Sequence, residues 1–220
     1  MRKSLFLSAL LVLVSLQILA QDSDFKLGIK VAPAIHSTRI LLDDPVLISN
    51  DGSNMKLSFG LVVDKALTDS YILSTGLIYI PKEVRIGITP DAGNPVNFNM
   101  AESYKLQYLQ VPLTLKLFTN EVKPDVKLFF QLGMALEIKV YEEADLTLTE
   151  QEVVSEFQPI NIPVVLGTGF EYNMGINTVA FAGVSYHRGL NNIVKSTNVA
   201  FAQDLEIRST VLSIDLGVKF

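Results

Sequence analysis

The chain has 220 residues, 18 basic and 23 acidic, for a net charge of −5, with a pI near 5.1. With 49% apolar and only 19% charged residues, it is too hydrophobic for disorder, and it carries no basic footprint for nucleic acid. It has no cysteine, which excludes disulfides and thiolate metal sites. Its two histidines, His36 and His187, lie too far apart in sequence for a histidine-rich metal motif.

Met1 to Ala20 reads MRKSLFLSALLVLVSLQILA. Arg2 and Lys3 make a positive n-region, an apolar run follows, and small Ala20 precedes polar Gln21 and Asp22. This is the pattern of a secretory signal peptide, although Ile18 at −3 is larger than an Ala-x-Ala site would have. The alternative, a membrane anchor, fits less well, because the apolar stretch of about 16 residues is short of the ~20 needed to span. Residues 1–20 are therefore expected to be a signal peptide and 21–220 one domain. Removing Arg2 and Lys3 takes the net charge from −5 to −7. No later apolar run is long enough for a second spanning helix, yet a mean hydropathy of +0.33 is high for a soluble protein.

From Phe25 onward the dominant period is two. Phe25, Leu27, Ile29 and Val31 oppose Lys26, Gly28 and Lys30. Met55, Leu57, Phe59, Leu61 and Val63 oppose Lys56, Ser58, Gly60 and Asp64, and Tyr71, Leu73, Thr75, Leu77 and Tyr79 oppose Ser74 and Gly76. Leu109 to Leu117 and Val126 to Val140 continue the pattern, as does Ile160 to Tyr172. Ala180 and Ala182 blur the two faces of Thr178–Tyr186. The last run is the cleanest, with Leu212, Ile214, Leu216, Val218 and Phe220 against Ser213, Asp215, Gly217 and Lys219. These runs predict eight strands, several as long as a tilted membrane-crossing strand requires.

The connections alternate as well. Residues 66–70, 119–125 and 173–177 are expected to be short turns, and 36–54, 84–103, 142–156 and 189–204 long loops. An even strand count with short turns on one rim and long loops on the other predicts an eight-stranded antiparallel up-and-down transmembrane β-barrel. The short turns would be periplasmic, the long loops extracellular, and the location the outer membrane. Phe25, Tyr71, Tyr172 and Phe220 fall where a lower aromatic girdle belongs. Pro33, Pro112, Pro159 and Pro163 sit within or beside proposed strands, where bulges are expected to accommodate them. Leu109-Gln110-Val111-Pro112-Leu113 and Ile160-Asn161-Ile162-Pro163-Val164 form a weak repeat. A soluble lipocalin-like periplasmic barrel is the competing architecture, since alternation alone does not say which face points outward. The mixture of glycine with lysine, glutamate and aspartate on the polar face favours a packed lumen over an apolar ligand cavity.

Three segments carry a family resemblance. Tyr108-Leu109-Gln110-Val111-Pro112-Leu113-Thr114-Leu115-Lys116 resembles the Y-L-E-I-P-L-L-L-K strand of PorT-like outer-membrane barrel proteins of Bacteroidetes-type bacteria. Tyr186-His187-Arg188-Gly189-Leu190-Asn191-Asn192-Ile193 resembles their Y-x-x-G-L-x-N-I segment, and Leu216-Gly217-Val218-Lys219-Phe220 their closing strand. Gln110 stands where that family commonly has an acidic residue. The resemblance implies an eight-stranded outer-membrane barrel, and its name-giving member resembles an accessory of protein secretion.

The one enzyme-like arrangement is Ser185-x-His187, which puts a hydroxyl and an imidazole on one strand face. It would suit a lipid-acting outer-membrane enzyme, but no carboxylate lies close in sequence. Lys30, Lys56, Lys116, Glu137, Glu171 and Asp215 are expected to project inward and pair as an ionic plug, leaving no diffusion pore. Asp43, Asp44, Asp51 and Asn54, and Glu142, Glu143, Asp145, Glu150 and Glu152, are acidic loop clusters that could meet divalent cations or lipopolysaccharide, but they match no calcium loop. Hence no catalytic, cofactor-binding or metal residue is assigned, and no cofactor is expected. The expected role is non-enzymatic: a structural or accessory barrel of secretion or envelope assembly. Its expected partners are outer-membrane lipids and lipopolysaccharide, the barrel-assembly machinery that would read the strand ending in Phe220, and secretion-complex proteins.

Overall fold

The computed structural model describes residues 24–41, 47–50, 54–89, 100–145, 154–175, 177–197 and 205–220. Met1–Ala20, the expected signal peptide, lies outside them, as do Asp43, Asp44, Asp51, Glu150 and Glu152. Twelve strands run through the described residues: β1 Phe25–Leu41, β2 Leu47–Asn50, β3 Asn54–Ala66, β4 Tyr71–Thr89, β5 Met100–Lys123, β6 Val126–Asp145, β7 Val154–Phe157, β8 Ile160–Asn161, β9 Pro163–Asn173, β10 Val179–Gly189, β11 Val194–Thr197 and β12 Glu206–Lys219.

Eight staves close a barrel. Antiparallel pairing runs β1–β3–β4–β5–β6–β9–β10–β12, with β8 extending the β9 stave, and β12 returns to β1. At the seam Phe220 N–H donates to Leu27 O at 2.7 Å, and Leu27 N–H donates to Phe220 O at 3.1 Å. Among the described residues closure leaves the eight staves no unpaired edge, the condition for a sheet to sit in hydrocarbon. β2 adds to the top of β4, and β7 pairs with β11 outside the barrel wall.

The apolar set points outward. Ile29, Met55, Leu57, Phe59, Leu61, Leu113, Phe130, Leu132 and Ile214 are all exposed, whereas Lys30, Asp64, Lys116, Glu137 and Lys219 are buried. This polarity is the inverse of a soluble barrel, and it removes the lipocalin-like alternative. On β1 the outward face stays apolar from Phe25 to Ile35. Ten residue steps are about 33 Å of strand, or about 25 Å along the normal at the usual tilt, the height of an outer-membrane apolar band. Tyr71, Tyr172 and Phe220 are exposed near the short-turn rim, as expected of a girdle.

Three expectations are corrected. The strands are longer than the periodicity indicated: β4 continues to Thr89, β5 begins at Met100, and Glu142 to Asp145 belong to β6 rather than to a loop. The 119–125 turn shrinks to Pro124–Asp125, with Asp125 at φ 63°, a left-handed conformation that aspartate tolerates. The prolines make gaps instead of bulges. Pairing of β1 with β12 lapses at Ala32–Pro33, and of β4 with β5 at Val111–Pro112, each resuming in the same register. Thr75 bridges the second gap by donating its hydroxyl to Pro112 O at 2.7 Å. The register shifts of the wall lie elsewhere, on the β5–β6 pair.

Candidate functional site in the barrel lumen

Three layers fill the barrel. Nearest the short turns, Asp64 of β3 accepts from Lys116 Nζ at 2.8 Å, Lys219 Nζ at 2.6 Å and Ser74 Oγ at 2.5 Å. Lys219 also bonds Glu171 at 2.5 Å. Two ammonium groups thus face two carboxylates, and the Phe181 ring lies within 5.7 Å of both. Burying such charges is tolerable only when each is paired and its remaining protons and lone pairs are used.

The middle layer is a chain of contacts across the lumen. Lys30 pairs with Asp215 at 2.9 Å. Ser213 donates to Asp215 at 3.0 Å and meets Ser185 at 2.7 Å. Ser185 Oγ lies 3.1 Å from His187 Nε2, and His187 Nδ1 lies 3.2 Å from Gln110 Nε2. The same Gln110 amide donates to Glu137 Oε1 at 3.1 Å. Glu137 Oε2 accepts from Lys82 at 2.6 Å and Asn161 at 2.5 Å. The weak sequence repeat acquires a physical meaning here. Gln110 and Asn161 occupy equivalent positions in the two segments, on the staves flanking β6, and both pair with Glu137 in register. Their carboxamides clamp one buried carboxylate from its two sides.

The top layer is apolar. β7 and β11 fold over the mouth, and Val154, Phe157, Ile193 and Val194 pack on the inward side chains Val84, Tyr104, Leu106, Tyr108 and Ile207. Phe157 is 0% exposed. Tyr104 Oη accepts the Val154 N–H at 3.0 Å, Lys139 Nζ donates to Phe157 O at 2.5 Å, and Glu142 pairs with Lys139. The cap therefore covers the mouth with a core of its own. Below it, a cavity of about 30 Å³ lined by Lys30, Gln110, Lys116, His187 and Asp215 has room for one or two waters.

The chain fits a known family. The outer membrane protein beta-barrel domain family matches residues 19–195. The protein belongs to that family, and its location is the outer membrane. No curated protein matches the chain. Among solved structures it is similar to neisserial surface protein A, at 18% identity over 90% of this chain and 98% of that one, TM-score 0.48. It is also similar to the attachment invasion locus protein Ail of Yersinia pestis, at 13% identity over 90% and 99%, TM-score 0.37. A third is the N-terminal barrel domain of Pseudomonas aeruginosa OprF, at 10% over 86% and 96%, TM-score 0.37.

In this outer-membrane barrel the expected inward charges Lys30, Lys116, Glu137, Glu171 and Asp215 all lie buried in the lumen. Lys56 does not join them: it is partly exposed and reaches Glu83 at 2.7 Å. Sequence reasoning missed Lys82 and Asn161 as members of the network. It had placed Asp64 and Lys219 on the polar face without recognising them as an ionic centre. Ser185 and His187 do meet, and the partner on the imidazole's other nitrogen is the Gln110 amide rather than a carboxylate. Glu137 requires a donor, so the Gln110 amide turns its Nε2 toward both Glu137 and His187. Where that amide nitrogen donates, Nδ1 accepts and the neutral ring's proton sits on Nε2. A nucleophile's base needs the reverse arrangement, with an orienting acceptor on Nδ1. Among the described residues no group of histidine and carboxylates is arranged to hold a metal ion.

Proposed function

We propose that this chain is a non-enzymatic structural barrel, an accessory of secretion or envelope assembly whose capped rim is its working surface. The observation that carries the reading is the filled lumen: among the described residues three layers of side chains occupy the barrel interior, so the useful part of the molecule is its outside. The resemblance of three segments to PorT-like proteins supports a secretion-associated role. In this reading residues 1–20 are a cleaved signal peptide, the short-turn rim is periplasmic, and the cap made by β7 and β11 faces outward from the cell. The partners are outer-membrane lipids and lipopolysaccharide, the barrel-assembly machinery during insertion, and components of a secretion complex.

The test is complementation of a deletion strain, read by co-purified secretion components, secreted-protein profiles and outer-membrane lipid profiles. The wild-type gene should restore all three, and Ser185→Ala should restore them equally. A Ser185→Ala protein that folds but leaves the lipid profile of the deletion strain would overturn the non-enzymatic reading in favour of a lipid-acting enzyme.

A further inference from the structure

The outer wall carries one basic concavity that the lumen does not explain. Arg39 of β1 and Arg208 of β12 are direct cross-strand partners, and Arg188 of β10 lies opposite Thr210, two residues from Arg208. With Tyr186 and Thr210 the three guanidinium groups line a hollow of about 190 Å³. That is ample room for a phosphate group.

Its position along the wall is defined by register. Ile35 and Leu212 are partners, Tyr186 lies opposite Leu212, and Val184 lies opposite Ile214. These end the apolar belt on three adjacent staves. One pleat repeat further toward the long-loop rim come Ser37, Thr210 and Arg188, and one more brings Arg39 and Arg208. The arginines therefore begin within about 7 Å of strand beyond the last lipid-facing side chains. That is where the acyl chains of a lipid end and its headgroup begins.

The charge is also unbalanced. Like charges directly across a strand pair repel, yet Arg39 faces Arg208. Glu206 pairs with Arg208 at 2.5 Å, but no carboxylate pairs with Arg39 or Arg188 among the described residues. In a chain of net charge −5 this is not a general basic surface. A guanidinium fork matches phosphate oxygens in pairs, and an anion seated between the three would relieve their repulsion.

We propose that Arg39, Arg188 and Arg208 bind a phosphate group of an outer-leaflet lipid, with the acyl chains lying on the Ile35, Leu212 and Val184 surface below. This deepens the reading above, because it requires the long-loop rim to face the outer leaflet. The binding measurement itself uses purified protein and does not depend on orientation. Folded protein in detergent is titrated with bisphosphorylated lipid A, with the same lipid A after phosphatase treatment, and with inorganic phosphate, and complexes are counted by native mass spectrometry. Wild type should bind bisphosphorylated lipid A at least tenfold more tightly than the dephosphorylated form. The double variant Arg39→Gln/Arg188→Gln, with heat-modifiable migration intact, should lose that preference, while Lys195→Gln, at a surface ion pair on the cap, should keep it. Equal binding of the two lipid A forms by wild type, or an unchanged preference in the double variant, overturns the proposal. Millimolar inorganic phosphate displacing the lipid completely would identify a soluble-phosphate site and overturn it too. If the double variant misfolds, Arg39→Lys/Arg188→Lys replaces it. Charge without the fork should weaken the preference, and an unaltered value is again a refutation.

Discussion

Asp64 holds the lower ionic layer together, so its removal should destabilise the barrel far more than a surface charge would. It is 1% exposed and accepts from Lys116, Lys219 and Ser74. Asp64→Ala leaves two buried ammonium groups facing Glu171 alone, and breaking a buried pair in this way costs about 3–5 kcal/mol. At 1.4 kcal/mol per tenfold, that lowers the folded-to-unfolded ratio by roughly a thousandfold. Removing Lys116 as well, as Asp64→Ala/Lys116→Met, restores neutrality through the Lys219–Glu171 pair. The double variant should recover a large part of the loss, with a coupling of about 1–3 kcal/mol. Lys195→Ala, at the exposed pair with Glu156, should cost less than about 1 kcal/mol. The assay is urea unfolding in lipid vesicles followed by heat-modifiable gel migration, since the chain has no tryptophan to report by fluorescence. An Asp64→Ala midpoint matching that of Lys195→Ala, or a double variant no more stable than the single, would refute the claim that charge pairing holds this layer.

Three further outcomes are expected. Single cysteines at Ser155 and Thr197 should react with a membrane-impermeant maleimide on whole cells, while those at Asp69 and Gly175 should not; the opposite pattern inverts the topology. Pure protein in planar bilayers should give no stable large conductance steps, because three layers of described side chains fill the lumen, and sustained openings would count against that packing. Gly169→Ala should destabilise by about 1–3 kcal/mol, since its Cβ would meet Ala182 O at 2.3 Å and Phe129 Cζ at 2.7 Å, whereas at Gly175 a Cβ meets nothing within 4 Å; urea midpoints compare the two, and equal midpoints count against the packing argument.

The wall of the barrel was legible because its physics is repetitive. A side chain on a stave meets lipid or lumen according to its parity, so Leu212 to Phe220 declare the outward face without tertiary information. Strand ends were not legible, because the upper lumen is apolar. On β5 the inward residues Tyr104, Leu106 and Tyr108 are apolar and buried, and below them the inward face turns to Gln110, Thr114 and Lys116. Apolar residues therefore change parity between Tyr108 and Leu109. A period-two reading that equates apolar with outward takes that change for the end of a strand. The same happens on β4, where Ile78, Ile80 and Val84 are buried inside. The parity change was itself a readable signal: it marks the height at which a stave stops lining a polar lumen and starts lining a capped mouth.

The site was half legible for a related reason. Parity placed Glu137 and Asp215 in the lumen, but partners depend on register between staves, which short-range patterns do not encode. Lys82 meets Glu137 over a separation of 55 residues, and Lys219 meets Asp64 over 155. The exception is the repeat around Pro112 and Pro163. Two segments with a carboxamide two residues before a proline, flanking one stave in the same register, must bring both amides to the same height. The residue of the intervening stave at that height is Glu137, a carboxylate that can accept from both. That single placement aims the Gln110 amide at both Glu137 Oε1 and His187 Nδ1. A strand pattern shared between two staves thus fixes which group sits on the far side of the imidazole beside Ser185: a carboxamide anchored on Glu137.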